Sequence, residues 1–316
     1  MLDNLVFSIN SVFPIFLLIA LGCGLKKVKM LNDNFVDVAT KFSFRISLPV
    51  MLFLDTATSN VEEAFDISYS IYLVVFVVAS FVIMALITRL VIKDRQKVSA
   101  IAHTSCRSNC ALVGMPMVIS IMGAENSSIG ALALLFIIPC YNIMAVVILS
   151  VFADHGVQKI QVGKVLKNIA TNPLIIGTLL GILFALLDIR LPEFLDTSLN
   201  MIGDTGTPII LIAIGYQLNM AAMRNNFKYT SIIALVKLII IPVLALTGAL
   251  LLGFSNEQAC VFFILACTPT SVSSYIMAKE MGSDAQLTSQ AIIVTTAFSV
   301  VTIFLGVFIL RNFGMI

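Results

Sequence analysis

Residues 107–116 read Arg107-Ser108-Asn109-Cys110-Ala111-Leu112-Val113-Gly114-Met115-Pro116. Residues 266–275 read Ala266-Cys267-Thr268-Pro269-Thr270-Ser271-Val272-Ser273-Ser274-Tyr275. Each stretch places polar side chains and a proline inside an apolar run. Proline removes a backbone donor and clashes with the preceding turn, so each run is expected to break or kink there. Backbone freed at membrane depth is costly in lipid and is tolerated where it is buried or lines a wet cavity.

The surrounding chain is strongly apolar. Of 316 residues, 59% are hydrophobic and 11% charged, and the mean hydropathy is +1.04. A soluble domain carries about 25% charged residues, so a soluble fold is excluded. The net charge of +2 excludes a basic nucleic-acid binder and an acidic tail. A helix needs about 20 apolar residues to cross the hydrocarbon core. That length gives ten spans, at about 5–25, 35–55, 68–92, 98–122, 128–152, 169–187, 194–216, 229–253, 257–281 and 287–310. The runs are too long for strands and lack alternation, so the fold class is an all-α membrane protein. The N-terminus begins Met-Leu-Asp without a basic region before its apolar run, which is not the pattern of a signal peptide.

Basic residues orient the spans. Lys26, Lys27 and Lys29 follow span 1, and Arg89, Lys93, Arg95 and Lys97 flank the end of span 3. Lys159, Lys164 and Lys167 follow span 5, Arg224 and Lys228 follow span 7, and Lys279 ends span 9. Only Arg190 and Arg311 lie on the other side, while Lys41, Arg45, Arg107 and Lys237 lie within spans. By the positive-inside rule the basic side is cytoplasmic, so both termini are expected outside the cell membrane. Asp55, Glu62, Glu63 and Asp66 then form an acidic outer loop.

The chain also repeats itself. A shift of 159 pairs Pro14 with Pro173, Gly22 with Gly181, Phe35 with Phe194, Asp37 with Asp196 and Pro49 with Pro208. Further on it pairs Ala100 with Ala259, Met122 with Met281 and Gly123 with Gly282. Proline is rare here, with nine in all, so coincident prolines carry more weight than coincident leucines. Two repeats follow, residues 1–157 and 158–316. Each holds five spans, an odd number, so the second enters the membrane upside down relative to the first. Inverted repeats mark secondary transporters, with the substrate site near the midplane where the repeats meet.

Both interrupted spans are fourth in their repeats. A broken helix presents a fresh N-terminus at the midplane, with free N–H groups and about half a positive charge. Two such ends converging make an anion site without a charged side chain. Asn109, Thr268, Thr270, Ser271 and Ser273 add neutral donors. A proline-kinked helix whose Ser and Thr merely satisfy freed carbonyls is the plainer reading of either span alone.

These residues also resemble a known family. The run Arg107-Ser108-Asn109 with Gly114-Met115-Pro116, the end of span 2 (Phe44-Arg45-Ile46-Ser47-Leu48-Pro49) and the run Thr268-Pro269-Thr270-Ser271 are similar to segments of the auxin efflux carrier family. That family includes the plant PIN-FORMED carriers and prokaryotic organic-acid permeases. The resemblance implies the five-plus-five fold shared with bile-acid transporters. There, spans 1, 2, 6 and 7 form a scaffold, and spans 3 to 5 and 8 to 10 form a mobile transport domain whose spans 4 and 9 cross. It further implies elevator-type alternating access and often a homodimer through the scaffolds. Asn109 matches the family's substrate-binding asparagine, and Pro116 and Pro269 match crossover prolines. Many members carry a second asparagine four residues after the span 9 proline, where this chain has Ser273. The loop between spans 5 and 6 is only about 15 residues long, which resembles the prokaryotic permeases.

Ionisable groups within spans are costly and are usually functional or paired. Arg107 is expected to neutralise the second carboxylate of a dicarboxylate or to line its path, although on a regular helix it would lie about 200° from Asn109; a structural pairing or snorkelling toward the inner face is the plainer alternative. Arg45 and Asp204 share the 159 offset and are expected to form a buried charge network in the scaffold. Lys41 and Lys237 are weaker cases. No carboxylate lies beside either interruption apart from Glu280, so no sodium cage is evident, and coupling to sodium or protons stays open. Tyr141 and Tyr275 are candidate aromatic walls. The six cysteines all fall in apolar runs, unlike a disulfide framework. Cys106 and Cys110, one helical turn apart with His103 nearby, suggest a metalloid or soft-metal exporter as the alternative. No motif supports an enzyme, since His155 lies in a loop and His103 has no evident partner, and no cofactor is expected. A sensor would need a signalling domain that the sequence lacks.

Overall fold

Capping side chains begin many of the helices. Asn32 accepts from the Phe35 N–H, Asp66 from Ser68 and Tyr69, Asp94 from Gln96 and Lys97, Asn172 from Leu174, and Asp284 from Leu287. Ser255 and Gln258 form a reciprocal capping box. The computed structural model describes residues 14, 17–57, 66–123, 126–152, 167, 170–217 and 225–316. Glu62, Glu63, His155, Lys159, Lys164 and Arg224 lie outside the described residues, as does the expected division at 157/158.

The first half contains α1 (17–27), α2 (Asp33–Phe42), α3 (Leu48–Ala57), α4 (Ile67–Val91), α5 (Arg95–Cys106), α6 (Met115–Met122) and α7 (Ser127–Phe152). The second half contains α8 (Pro173–Leu186), α9 (Glu193–Asp204), α10 (Gly206–Gln217), α11 (Phe227–Leu235), α12 (Ile241–Leu251), α13 (Asn256–Cys267), α14 (Ser273–Glu280) and α15 (Ala285–Asn312). A π turn at Ser43–Ser47 runs α2 into α3, and another at Val236–Ile240 runs α11 into α12. Among the described residues every regular element is helical, apart from one isolated β-bridge.

Among the described residues, five helices are each long and apolar enough to cross a membrane: Ile67–Val91, Ser128–Phe152, Glu193–Tyr216, Phe227–Leu251 and Ala285–Asn312. The lining of α4 explains why. It turns Tyr69, Leu73, Val77, Phe81 and Ala85 inward, and its outer face carries Ile71, Val75, Val82, Ile83, Leu86 and Leu90. A helix apolar on every side belongs in lipid rather than at a water-facing surface. This is the build of a multi-pass membrane protein.

Helix boundaries recur at the offset seen in the sequence. A shift of 159 carries α4 onto 226–250, where α11 and α12 together occupy Phe227–Leu251. The same shift carries α7 onto 286–311, beside α15 at Ala285–Asn312. It carries α2 and α3 onto 192–216, beside α9 and α10 at 193–217.

Helices α1 and α10 cross at backbone distance. A Cβ on Gly215 would overlap the Ile19 carbonyl oxygen, and one on Gly22 would overlap the Ile212 carbonyl. The Cys23 thiol donates to the Gly215 carbonyl at 3.1 Å across the same crossing. Small residues let helices approach this closely where lipid offers no hydrophobic drive. Helices α3 and α8 meet in the same way, with Gly177 against the Pro49 carbonyl.

Gly215→Val is expected to force these helices apart and cost about 3 kcal/mol or more, read as a loss of thermal stability in detergent. An unchanged melt would show that the crossing yields freely.

Asp66 joins two membrane-edge helix ends. Its carboxylate accepts from the Tyr69 and Ser68 N–H groups and, through Oδ2, from the Gln258 amide at 2.9 Å. The Tyr69 N–H first, and then the Gln258 amide, hold its carboxyl below the ordinary carboxylate range. A folded-state pKa below the unfolded value stabilises above the unfolded pKa, and that contribution fades as pH falls through the folded one. Asp66→Asn is therefore expected to lower the melting temperature at neutral pH and to lower it less below about pH 4, near the ordinary Asp pKa. An equal deficit at both values would place the effect elsewhere.

Candidate functional site at two helix interruptions

Helix α5 ends at Cys106, and Arg107 and Asn109 leave helical geometry with ψ of 115° and 58°. A π turn over Cys110–Gly114 then leads into α6. Helix α13 ends at Cys267, and Thr268 is extended with ψ of 153° before α14 begins at Ser273. The two non-helical segments lie against each other. Ser108 and Thr270 form an antiparallel bridge. The Asn109 N–H donates to the Pro269 carbonyl at 3.0 Å, and the Ser271 N–H donates to the Arg107 carbonyl at 3.3 Å. Each segment thus satisfies backbone groups that the other has released, which buried backbone requires.

Beside this bridge is a cavity of about 270 Å³. Arg107, Ser108, Asn109, Cys110 and Ala111 line it from one interruption, and Ser271, Val272 and Ser273 from the other. Tyr141 and Asn142 of α7 line it too, opposite Leu48, Met51 and Leu52 of α3 and Asp204, Thr207 and Ile210 of α9 and α10. The first residues of both downstream helical segments face the cavity, where a helix has N–H groups without intrahelical acceptors.

Arg107 is only 5% exposed. Its guanidinium donates to the Tyr141 carbonyl at 3.3 Å, to Asn142 Oδ1 at 2.7 Å and to Ser273 Oγ at 3.1 Å. All three acceptors are neutral. The ion pairs among the described residues are Lys97–Asp94, Arg190–Asp188 and Lys279–Asp37, so no carboxylate pairs with Arg107. A guanidinium has five N–H donors, and these contacts leave some unused. Among the described residues the buried Asn109 Nδ2 has no hydrogen-bond partner. The non-helical backbone removes the angular conflict expected on a regular helix, and Arg107 and Asn109 share the cavity.

Residues 7–307 match the family described as membrane transport proteins. The chain belongs to this family, that of the auxin efflux carriers. It is 23% identical over 310 residues to an uncharacterized transporter of Methanocaldococcus jannaschii, covering 96% of this chain and 99% of the relative. It is 24% identical over 313 residues to a Rhizobium meliloti protein named "Putative malonate transporter", covering 95% of each. An Arabidopsis thaliana protein named auxin efflux carrier component 8 is 27% identical over 146 residues, which is 44% of this chain and 39% of the relative. The family and these relatives are transporters, not enzymes.

Within this auxin efflux carrier family member, the residues singled out from sequence divide into three groups. Arg107, Asn109, Ser271 and Ser273 line the cavity, with Tyr141 beside them. Thr268, Thr270 and Gly114 serve the backbone and its packing. The Thr268 hydroxyl donates to the Leu265 carbonyl at 2.9 Å, and that of Thr270 donates to the Thr104 carbonyl at 2.8 Å. Gly114 leaves just enough room for Leu265 and Thr268. Pro269 supplies the carbonyl that Asn109 uses, and Pro116 lies in the first turn of α6. Tyr275 is fully buried and does not line the cavity. Asn142 was not singled out, although a lone amide in an apolar run is a visible signal.

Two expectations need correction. Arg45 and Asp204 are both exposed and form no ion pair among the described residues, so the expected buried pairing is not seen there. Their helices touch through small neighbours instead. Ser47 Oγ lies 2.9 Å from Thr205 Oγ1, Gly206 packs on Ser47, and Gly203 packs on Met51. Cys106 and Cys110 are not one turn apart on a helix, because residues 107–109 between them are not helical. Among the described residues no three His, Cys, Asp or Glu side chains gather as a metal site.

Thr270→Val is expected to orphan the Thr104 carbonyl at the end of α5 and cost about 1–3 kcal/mol. Thermal melting checks this, and an unchanged melt would mean that another donor takes the carbonyl.

Proposed function

We propose that this protein is a secondary transporter of small organic anions, with the carboxylate bound in the cavity beside the crossing segments. The observation that carries this reading is Arg107, a buried guanidinium held by neutral acceptors alone, next to the unpartnered amide of Asn109. A buried charge without an ion-paired partner is strongly unfavourable; Asp204 lines the same cavity but does not pair with Arg107, and an anionic substrate supplies the direct counter-charge. The starts of both downstream helical segments add partial positive charge on the same side. A cavity of about 270 Å³ suits a small dicarboxylate such as malonate or malate, and the name of the Rhizobium meliloti relative favours the same class.

In this reading the chain forms ten transmembrane helices as two inverted five-helix repeats, with both termini outside the cell membrane. Helices α5–α6 and α13–α14 are then the fourth and ninth spans, each crossing as two half-helices. The recurrence of helix boundaries at 159 supports this. The cavity is lined by the crossing segments and α7 on the one hand and by α3, α9 and α10 on the other, and in an elevator mechanism these two groups would move relative to each other. A homodimer would form through the scaffold face.

Uptake of malonate and indole-3-acetate by purified protein in liposomes tests the site. Asn109→Ala removes a charge-assisted donor worth about 1.5–3 kcal/mol, so affinity for either acid is expected to fall about 10- to 100-fold. Arg107→Gln is expected to reduce malonate uptake about tenfold more than indole-3-acetate uptake, because only the diacid has a second carboxylate. Equal losses for the two acids would overturn the role given to Arg107.

A further inference from the structure

Lys237 sits in the π turn between α11 and α12 and is fully buried. Its ammonium donates to Ser108 Oγ at 2.7 Å and to the Ala266 carbonyl at 2.6 Å. Ser108 is a member of the backbone bridge. Ala266 is the penultimate residue of α13, where helix carbonyls lack intrahelical donors and carry partial negative charge. The thiols of Cys106, Cys110 and Cys267 surround Lys237, and among the described residues no carboxylate pairs with it. A cation is therefore held at the crossing by a hydroxyl and a helix-end carbonyl. Secondary transporters commonly hold sodium with unwound carbonyls and half-helix C-terminal ends.

We propose that Lys237 is a tethered cation that occupies the crossing in place of a free alkali ion. It positions Ser108 and the end of α13 so that both interruptions keep their geometry without sodium. The device exists in one repeat only, because the residue 159 positions earlier is Val78. Ser108 also lines the cavity, so the ammonium lies one side chain behind the substrate site. Lys237 is thus a positioning residue for the anion site proposed above, and part of its test does not depend on that site.

The test compares melting of the purified full chain in sodium chloride and in choline chloride at equal ionic strength. The native protein is expected to melt at the same temperature in both salts, and stabilisation by sodium would overturn the proposal. Lys237→Ala is expected to melt lower by about 5 °C or more and to recover part of that loss with sodium or methylammonium, which fit the vacated space. Lys237→Met fills the same space with an apolar chain and is expected to respond to neither. A Lys237→Ala protein indifferent to both cations would overturn the proposal. If Lys237→Ala does not fold, a folded Lys237→Arg beside an unfolded Lys237→Met supports it, and a Lys237→Met protein as stable as the native one overturns it. Malonate uptake is expected to be the same with and without a sodium gradient, and sodium-dependent uptake would overturn the proposal. Absence of any anion uptake would count against the anion site alone, and the melting experiments would still decide the role of Lys237.

Discussion

The architecture around the cavity depends on one contact, the antiparallel pairing of Ser108 with Thr270. Unwinding a helix inside a membrane releases backbone groups that lipid cannot satisfy. Here two unwound segments satisfy each other. Asn109 and Ser271 each donate an N–H across the gap, to Pro269 and Arg107 respectively. Proline at 269 has no N–H of its own, so its missing donor costs nothing at this pairing while its carbonyl is used. Neither interruption would be tolerable alone, and together they fix the distance between the two polar clusters.

The second constraint is buried charge that no carboxylate among the described residues pairs with. Two cations, Arg107 and Lys237, are buried beside the Ser108–Thr270 bridge, and among the described residues every hydrogen-bond acceptor of either is a neutral oxygen. Their environments differ in one respect. Lys237 lies behind the bridge, away from the cavity lining, whereas Arg107 opens onto the cavity. Lys237 gives its hydrogen bonds to Ser108 and a helix-end carbonyl, while the Arg107 side of the bridge lines the cavity. The neutral character of Asn142, Ser271 and Ser273 keeps the Arg107 charge from being quenched from within.

Much of this was legible in the sequence. The two proline-bearing polar runs and the offset of 159 located both interruptions, and the positions of Arg107 and Asn109 at the cavity follow from them. What was not legible has identifiable physical causes. The Arg45 and Asp204 pairing failed because equivalence in a repeat does not bring side chains face to face, and their helices meet through Ser47, Gly203 and Thr205 instead. Lys237 gives little signal in the sequence because its partners are a serine far away in the chain and a main-chain carbonyl, which leaves no pattern of residue types to read. Thr268 and Thr270 looked like ligands, yet their hydroxyls are turned to helix-end carbonyls. A hydroxyl beside a helix break serves backbone or substrate equally well, and only geometry separates the two.

The π turn at Val236–Ile240 has a further effect, on the phase of the helix that carries it. At about 100° per residue, Thr230 and Ala249 would point about 100° apart on an unbroken α-helix. A π turn absorbs one extra residue, which cancels that rotation and returns both positions to one side. Thr230 and Ala249 are indeed both buried, at 1% and 0% exposure. The turn therefore works like a one-residue insertion that resets the helix, so that α11 and α12 bury a single continuous seam, and Lys237 stands at the point of the reset.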